Sequence, residues 1–126
     1  MTTMVYFDAA GAQYCLPVQA TRSVRTADGM ITLPDPAPDV TGIIPGDPPL
    51  TVISPLQSKG THVLVIEVGG RTFGLLVDAV TGLKRIDDDD IRPAPHGQDR
   101  RLISGTVDTG GRLVLVADPT ALAEQL

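Results

Sequence analysis

LVIEVGGRTFGLLVDAVTGL, running from Leu64 to Leu83, decides how this chain folds. Two apolar runs, LVIEV and TFGLLV, lie on either side of Gly69-Gly70. Short runs rich in Val, Ile and Leu and bounded by glycine read as buried strands. Paired glycines supply the positive φ that a tight hairpin turn requires. The stretch is therefore predicted to be a hairpin that leads into a further strand. HVLVIEV and RLVLVA have the same character, and Asp108-Thr109-Gly110-Gly111-Arg112 repeats the turn. Helix signals are confined to the tail, from Pro119 to Leu126. There Asp118 stands where a cap belongs, a proline follows it, and Leu122 and Leu126 are four apart. The reading is all-β with one short C-terminal helix.

The hairpin occurs twice. VYFDAAGAQYCLPVQATRSV, from Val5, lies on the opening stretch without a gap, 59 residues upstream. Phe7 meets Ile66, Asp8 meets Glu67, Gly11 meets Gly70, Tyr14 meets Phe73, Leu16 meets Leu75 and Val18 meets Val77. The same offset carries Pro34 and Pro36 onto Pro93 and Pro95. After four inserted residues, Gly42-Ile43-Ile44 falls on Gly105-Thr106-Val107, and Leu50 to Ile53 on Leu113 to Val116. Two β-rich segments can match by chance, but twenty gapless positions with prolines in phase favour a duplication. Its units run roughly from 4 to 60 and from 61 to 126. A unit of this size has too few strands for a sandwich of its own, and a small closed barrel removes its edges. Two barrels side by side leave a groove between them.

Size and composition narrow the function. A chain of 126 residues is most simply one domain. Its net charge is −5, which repels phosphate backbones, and two Tyr, two Phe and no Trp offer few stacking platforms. Nucleic acid is a poor partner on both counts. One cysteine, Cys15, excludes an internal disulfide framework. No stretch approaches the ~20 apolar residues that cross a bilayer, and the first residues do not show a basic segment followed by an apolar run, so a cytoplasmic protein without membrane insertion is expected. Composition leans towards a protein that binds other proteins.

The order of these segments resembles the CheW family, the adaptor proteins of bacterial chemosensory arrays. VYFDAAGAQYCLPV is similar to that family's opening hairpin, and ITLPDPAPDVTGII to its proline turn and Gly-Val-Ile. HVLVIEVGGRTFGLLVDAV carries Gly74 and the Val77-Asp78-x-Val80 signature, DDDDIRPAP the acidic turn, and LISGTVDTGGRLVLVAD the last hairpin. The resemblance spans essentially the whole chain. It implies two intertwined small five-stranded barrels related by the internal repeat, no catalysis and no cofactor. It further implies a scaffold that bridges the cytoplasmic tip of a chemoreceptor and the regulatory domain of a histidine kinase. The receptor would lie in the groove between barrels and the kinase against a barrel end. On matching positions the candidate partner-binding residues are Val63, Val77, Val80, Thr21, Ser23 and Asp47, with plain core packing the alternative for each valine.

The match has departures. Asp47 stands where the family has an arginine, Pro55 stands where it has an aspartate, and the connection from Leu56 to His62 is short. A carboxylate cannot replace the guanidinium fork. A CheW-like module serving another signalling complex is therefore the second reading. A third comes from Asp108-Thr109-Gly110, the tripeptide of aspartic proteases, whose small forms share one proton between two aspartates. A tight turn between strands asks for the same residues. Asp87 to Asp90 lack the alternating ligands and glycine bend of a calcium loop and read as a solvated, capped turn. His62 and His96 read as separate surface residues, Cys15 as core, and Arg100-Arg101 as a salt-bridged patch.

Overall fold

A computed structural model describes residues 1–33, 40–94 and 102–126. The strands follow as β1 (Thr2–Ala9), β2 (Ala12–Pro17), β3 (Thr21–Thr26), β4 (Ile31–Thr32), β5 (Val40–Ile44), β6 (Leu50–Ile53), β7 (His62–Val68), β8 (Arg71–Val77), β9 (Ala79–Ile86), β10 (Ile103–Thr109) and β11 (Arg112–Ala117). Helix α1 (Pro119–Ala123) closes the chain. Two sheets result, ordered β10-β11-β2-β1-β9 and β3-β7-β8-β6-β5-β4. Each sheet takes strands from both halves of the sequence. The first hairpin sits among β9, β10 and β11, and the hairpin β7–β8 sits among β3 to β6.

The pairing follows the internal repeat closely. Val5 faces Leu83 across β1 and β9, and their mates Leu64 and Val24 face each other across β7 and β3. Both ladders slip by one residue at equivalent places, between Phe7 and Tyr6 in one and between Thr21 and Ser23 in the other. A second pair of bulges precedes Gly42 and Gly105. Added side chains there would strike the carbonyls of Ile31 and Arg92 respectively. The defects match between the halves, and the second pair lies beside glycines in close backbone approach.

Two details differ from the sequence expectation. The second sheet has six strands rather than five, because Ile31 and Thr32 pair with Ile43 and Gly42. Its counterpart in the other half is a single bridge, Arg92 to Thr106. That bridge makes Arg92 the mate of Ile31, so the inserted residues fall in two steps, one before and one after this point. The offset at Ile31 is thus 92 − 31 = 61; Pro34, Pro36 and Pro95, on which the proline alignment rests, lie outside the described residues. Through Arg92 the chain leaving β9 returns to β10, and the turn at Ala27 to Met30 returns β3 to β4. In both halves the chain thus turns back from one edge strand towards the other edge of its own sheet, and no continuous ladder closes either sheet.

Three apolar clusters account for this shape. Met4, Tyr6, Cys15, Ile86, Val107, Val114 and Val116 come from one sheet and cover each other, which requires that sheet to curl. Ile44, Leu50, Val52, Val63, Val65 and Leu76 do the same for the other. Between the sheets lies a larger core that includes Val5, Phe7, Leu16, Ile53, Leu64, Ile66, Phe73, Leu75 and Leu122. Alternate residues of β1 and β7 thus serve different cores, as the period of two dictates. Turn chemistry is as predicted at two hairpins, where Gly69-Gly70 and Gly110-Gly111 have positive φ, and Ala10-Gly11 of the first hairpin adopts it as well. The helix ends at Ala123, three residues short of the expected bound, and Asp118 caps it through the Thr120 and Ala121 amides.

Candidate partner-binding groove

The sheets part at one end of the shared core and leave an almost wholly apolar groove of about 200 Å³. Its floor is Val5 of β1 and Leu64 of β7, themselves repeat mates and nearly buried. Val18, on the 3₁₀ turn before β3, and Val80 of β9 form its inner wall. The lips are Val24 and Leu83, 47% and 62% exposed, again mates. β3 and β9 end their sheets, so both lips stand on edge strands. Apolar side chains this exposed, set symmetrically about one cleft, are what a monomer does not need for its own stability.

The predicted positions divide here. Thr21, Ser23 and Val80 line the groove together. The Thr21 hydroxyl donates to the Val18 carbonyl at 2.9 Å, so its polar atom is satisfied within the protein. Val63 and Val77 do not reach it. Both are fully buried, Val63 inside the curled second sheet and Val77 in the core between sheets. Asp47 is exposed in the β5–β6 turn and is not part of the groove lining. In its place the rim holds Arg22, whose guanidinium donates to Glu67 at 2.8 Å. The pair holds Glu67 below and Arg22 above their ordinary pKa values, through the hydrogen bond first and the charge attraction second.

Asp78 has a role that sequence reading missed. Its carboxylate accepts from the Ala10 amide at 3.0 Å and from the Ser58 hydroxyl at 2.5 Å. Ser58 in turn accepts from the Gly60 amide at 3.0 Å, and Gly60 has no room for a Cβ beside the Val77 carbonyl. One side chain therefore ties the first hairpin to the short connection between β6 and β7. The Val-Asp-x-Val signature was the available signal, but nothing local names its partners.

Other candidate groups have structural explanations. Asp108 accepts from the Gly111 amide at 3.0 Å and so braces the β10–β11 turn, a use that gives the peptidase reading no support. Within the acidic run, Asp87 caps the 3₁₀ turn of Asp88–Asp90 by accepting from the Asp89 amide. Cys15 is fully buried, and burial pushes its thiol up to about 12. His62 is only partly exposed rather than on the surface, with a buried Nδ1 that lacks a hydrogen-bond partner. His96, Arg100 and Arg101 lie outside the described residues. Among the described residues no helix is long and apolar enough to cross a membrane.

Comparison with known proteins agrees with this architecture. The chain resembles the scaffolding protein TtCheW from Thermoanaerobacter tengcongensis, with a TM-score of 0.81 over 93% of this chain and 88% of that one, at 23% identity. No curated protein matches it. The family model described as a CheW-like domain matches residues 48–126. That range is well over half of the chain and includes the whole second repeat, while the structural likeness extends into the first. The chain belongs to the CheW-like domain family, the adaptor fold of chemotaxis signal transduction.

Proposed function

We propose that this protein is a non-enzymatic adaptor that holds the cytoplasmic tip of a chemoreceptor in the groove between its sheets. A barrel end is then free for the regulatory domain of a histidine kinase. The observation that carries this reading is the groove itself, with the exposed lips Val24 and Leu83 over a floor of Val5 and Leu64. A receptor-tip helix offers an apolar stripe of the matching kind. Thr21, Ser23 and Val80 are the contacts expected from the predicted set. Val63 and Val77 act from behind, as the packed support of the strands.

Val80→Glu tests the reading. A carboxylate placed against an apolar partner would be desolvated without a counter-charge. Binding to a receptor-tip fragment should fall by about tenfold or more while the fold, followed by circular dichroism, persists. Equal binding by a folded variant would overturn the groove assignment.

Asp47 favours a second reading, in which the module serves a different signalling complex. It carries a negative charge in an exposed turn where the family resemblance expects an arginine. Should the protein leave receptor tips unbound, Asp47→Arg decides between the two: restored binding points to a lost contact, and continued silence to another partner.

A further inference from the structure

The strands that flank the groove are charged in a way the rest of the molecule is not. β3 and β9 together carry Arg22, Arg25, Lys84 and Arg85 and contain no acidic residue. The whole chain has 10 Lys and Arg against 15 Asp and Glu. Four of the ten cations therefore stand on the two edge strands beside the apolar cleft. Arg22 lines the cleft directly. Arg85 faces Thr3 as Leu83 faces Val5, so it shares the Leu83 side of β9. Arg25 and Lys84 are repeat mates on the reverse faces, where Lys84 lies 5.2 Å from the Tyr6 ring centre. All four are exposed, and their field extends to about 10 Å in physiological salt.

We propose that the groove selects a partner helix whose apolar stripe is flanked by carboxylates. This rests on the adaptor reading above and adds the chemistry by which the occupant is chosen. At about 200 Å³ the cleft is smaller than the usual small-molecule pocket of roughly 300–1,000 Å³. An α-helix is about 10 Å across with its side chains, so a helix seated between Val24 and Leu83 places its flanking residues over β3 and β9. Arg22 arrives prepared. Glu67 accepts from one Nη of its guanidinium, and among the described residues no other acceptor takes the remaining donors of that fork, which suits them to an incoming carboxylate. The opposite rim has Arg85 and no such brace, because the repeat mates of Arg22 and Glu67 are Thr81 and Asp8. Two copies of this chain joined groove to groove would oppose like charges, which disfavours self-association.

Two synthetic helical peptides test the proposal with the full-length protein. Both carry the same leucine stripe; one has glutamate on its flanks, the other lysine. Fluorescence anisotropy should give about tenfold tighter binding of the glutamate peptide at low salt, with the difference shrinking as salt rises. Arg85→Glu alone, and Arg22→Gln with it, should erase the preference. Equal affinities, or a preference that survives both changes, would overturn it. If Val80→Glu abolishes binding while no charge preference exists, the groove stands and this proposal fails. If Val80→Glu changes nothing, or neither peptide binds, both readings fail. Sedimentation that reveals a dimer broken by Val80→Glu would name a second copy as the occupant and sink the proposal too.

Discussion

Gly74 stands in the middle of β8, and the interior of the curled second sheet leaves it no room to be anything larger. A Cβ there would come within 2.5 Å of the Val63 Cγ1 and 3.3 Å of Leu50 and Val52 methyl groups. Gly74→Ala should therefore cost about 1–3 kcal/mol by overpacking. Urea denaturation would report it as a lower midpoint at unchanged slope; an unaltered midpoint would show that Val63 moves freely. Cys15 lies in the other curled sheet. Burial raises its thiol from 9.0 to about 12, so the folded state keeps its proton longer than the unfolded chain does. Stability is intact below about 9 and declines as pH climbs towards 12. Iodoacetamide at pH 8 should label the unfolded chain only, and rapid labelling of the native protein would contradict the burial. At this scale the sequence separated core from surface for Cys15, but not one buried face from another. Val63 and Val77 carry the apolar character that a groove position needs, yet each is enclosed, because alternation states that a residue faces one side without naming what lies there.

The elements were the most legible part. Gly-Gly pairs announce their turns, and Asp118 before Pro119 announces a helix start, because each signal acts within a few residues. Asp118→Ala should lower stability by about 1 kcal/mol, within the usual range of roughly 0.5–2 for a lost cap. The effect should appear in the thermal midpoint, since Ala121, Leu122 and Ala123 are buried and Arg71 donates to the Ala123 carbonyl at 3.0 Å. An unchanged midpoint would mean that this packing holds the helix without its cap. The β5–β6 hairpin was harder to read. Its Pro45-Gly46-Asp47-Pro48-Pro49 loop is longer than the glycine turns, and it leaves Asp47 at the surface. Beyond β5 the strand β4 pairs in turn and takes the sheet edge.

For the molecule as a whole the consequence of exchanged strands is mutual dependence. Neither half can complete a sheet alone: residues 1–60 lack β9 and β11, the outer neighbours of the β1–β2 hairpin, and residues 61–126 lack β3 and β6, those of the β7–β8 hairpin. Separately made halves should be largely unfolded and should regain sheet content when mixed, as followed by far-ultraviolet circular dichroism. A half that unfolds cooperatively on its own would refute that dependence. That the chain is β, that its halves resemble each other and where its glycine turns fall can all be read along the sequence, because strand periodicity, paired glycines and repeated segments are local or linear properties. That β3 joins β7 and β9 joins β1 is visible in the folded chain alone, since pairing between strands far apart in sequence is chosen by burial and not by neighbours. That exchange sets two edge strands, Val24 and Leu83 upon them, on either side of one apolar cleft. The same exchange leaves Asp47 out of the cleft lining and puts Arg22, braced by Glu67, at its rim.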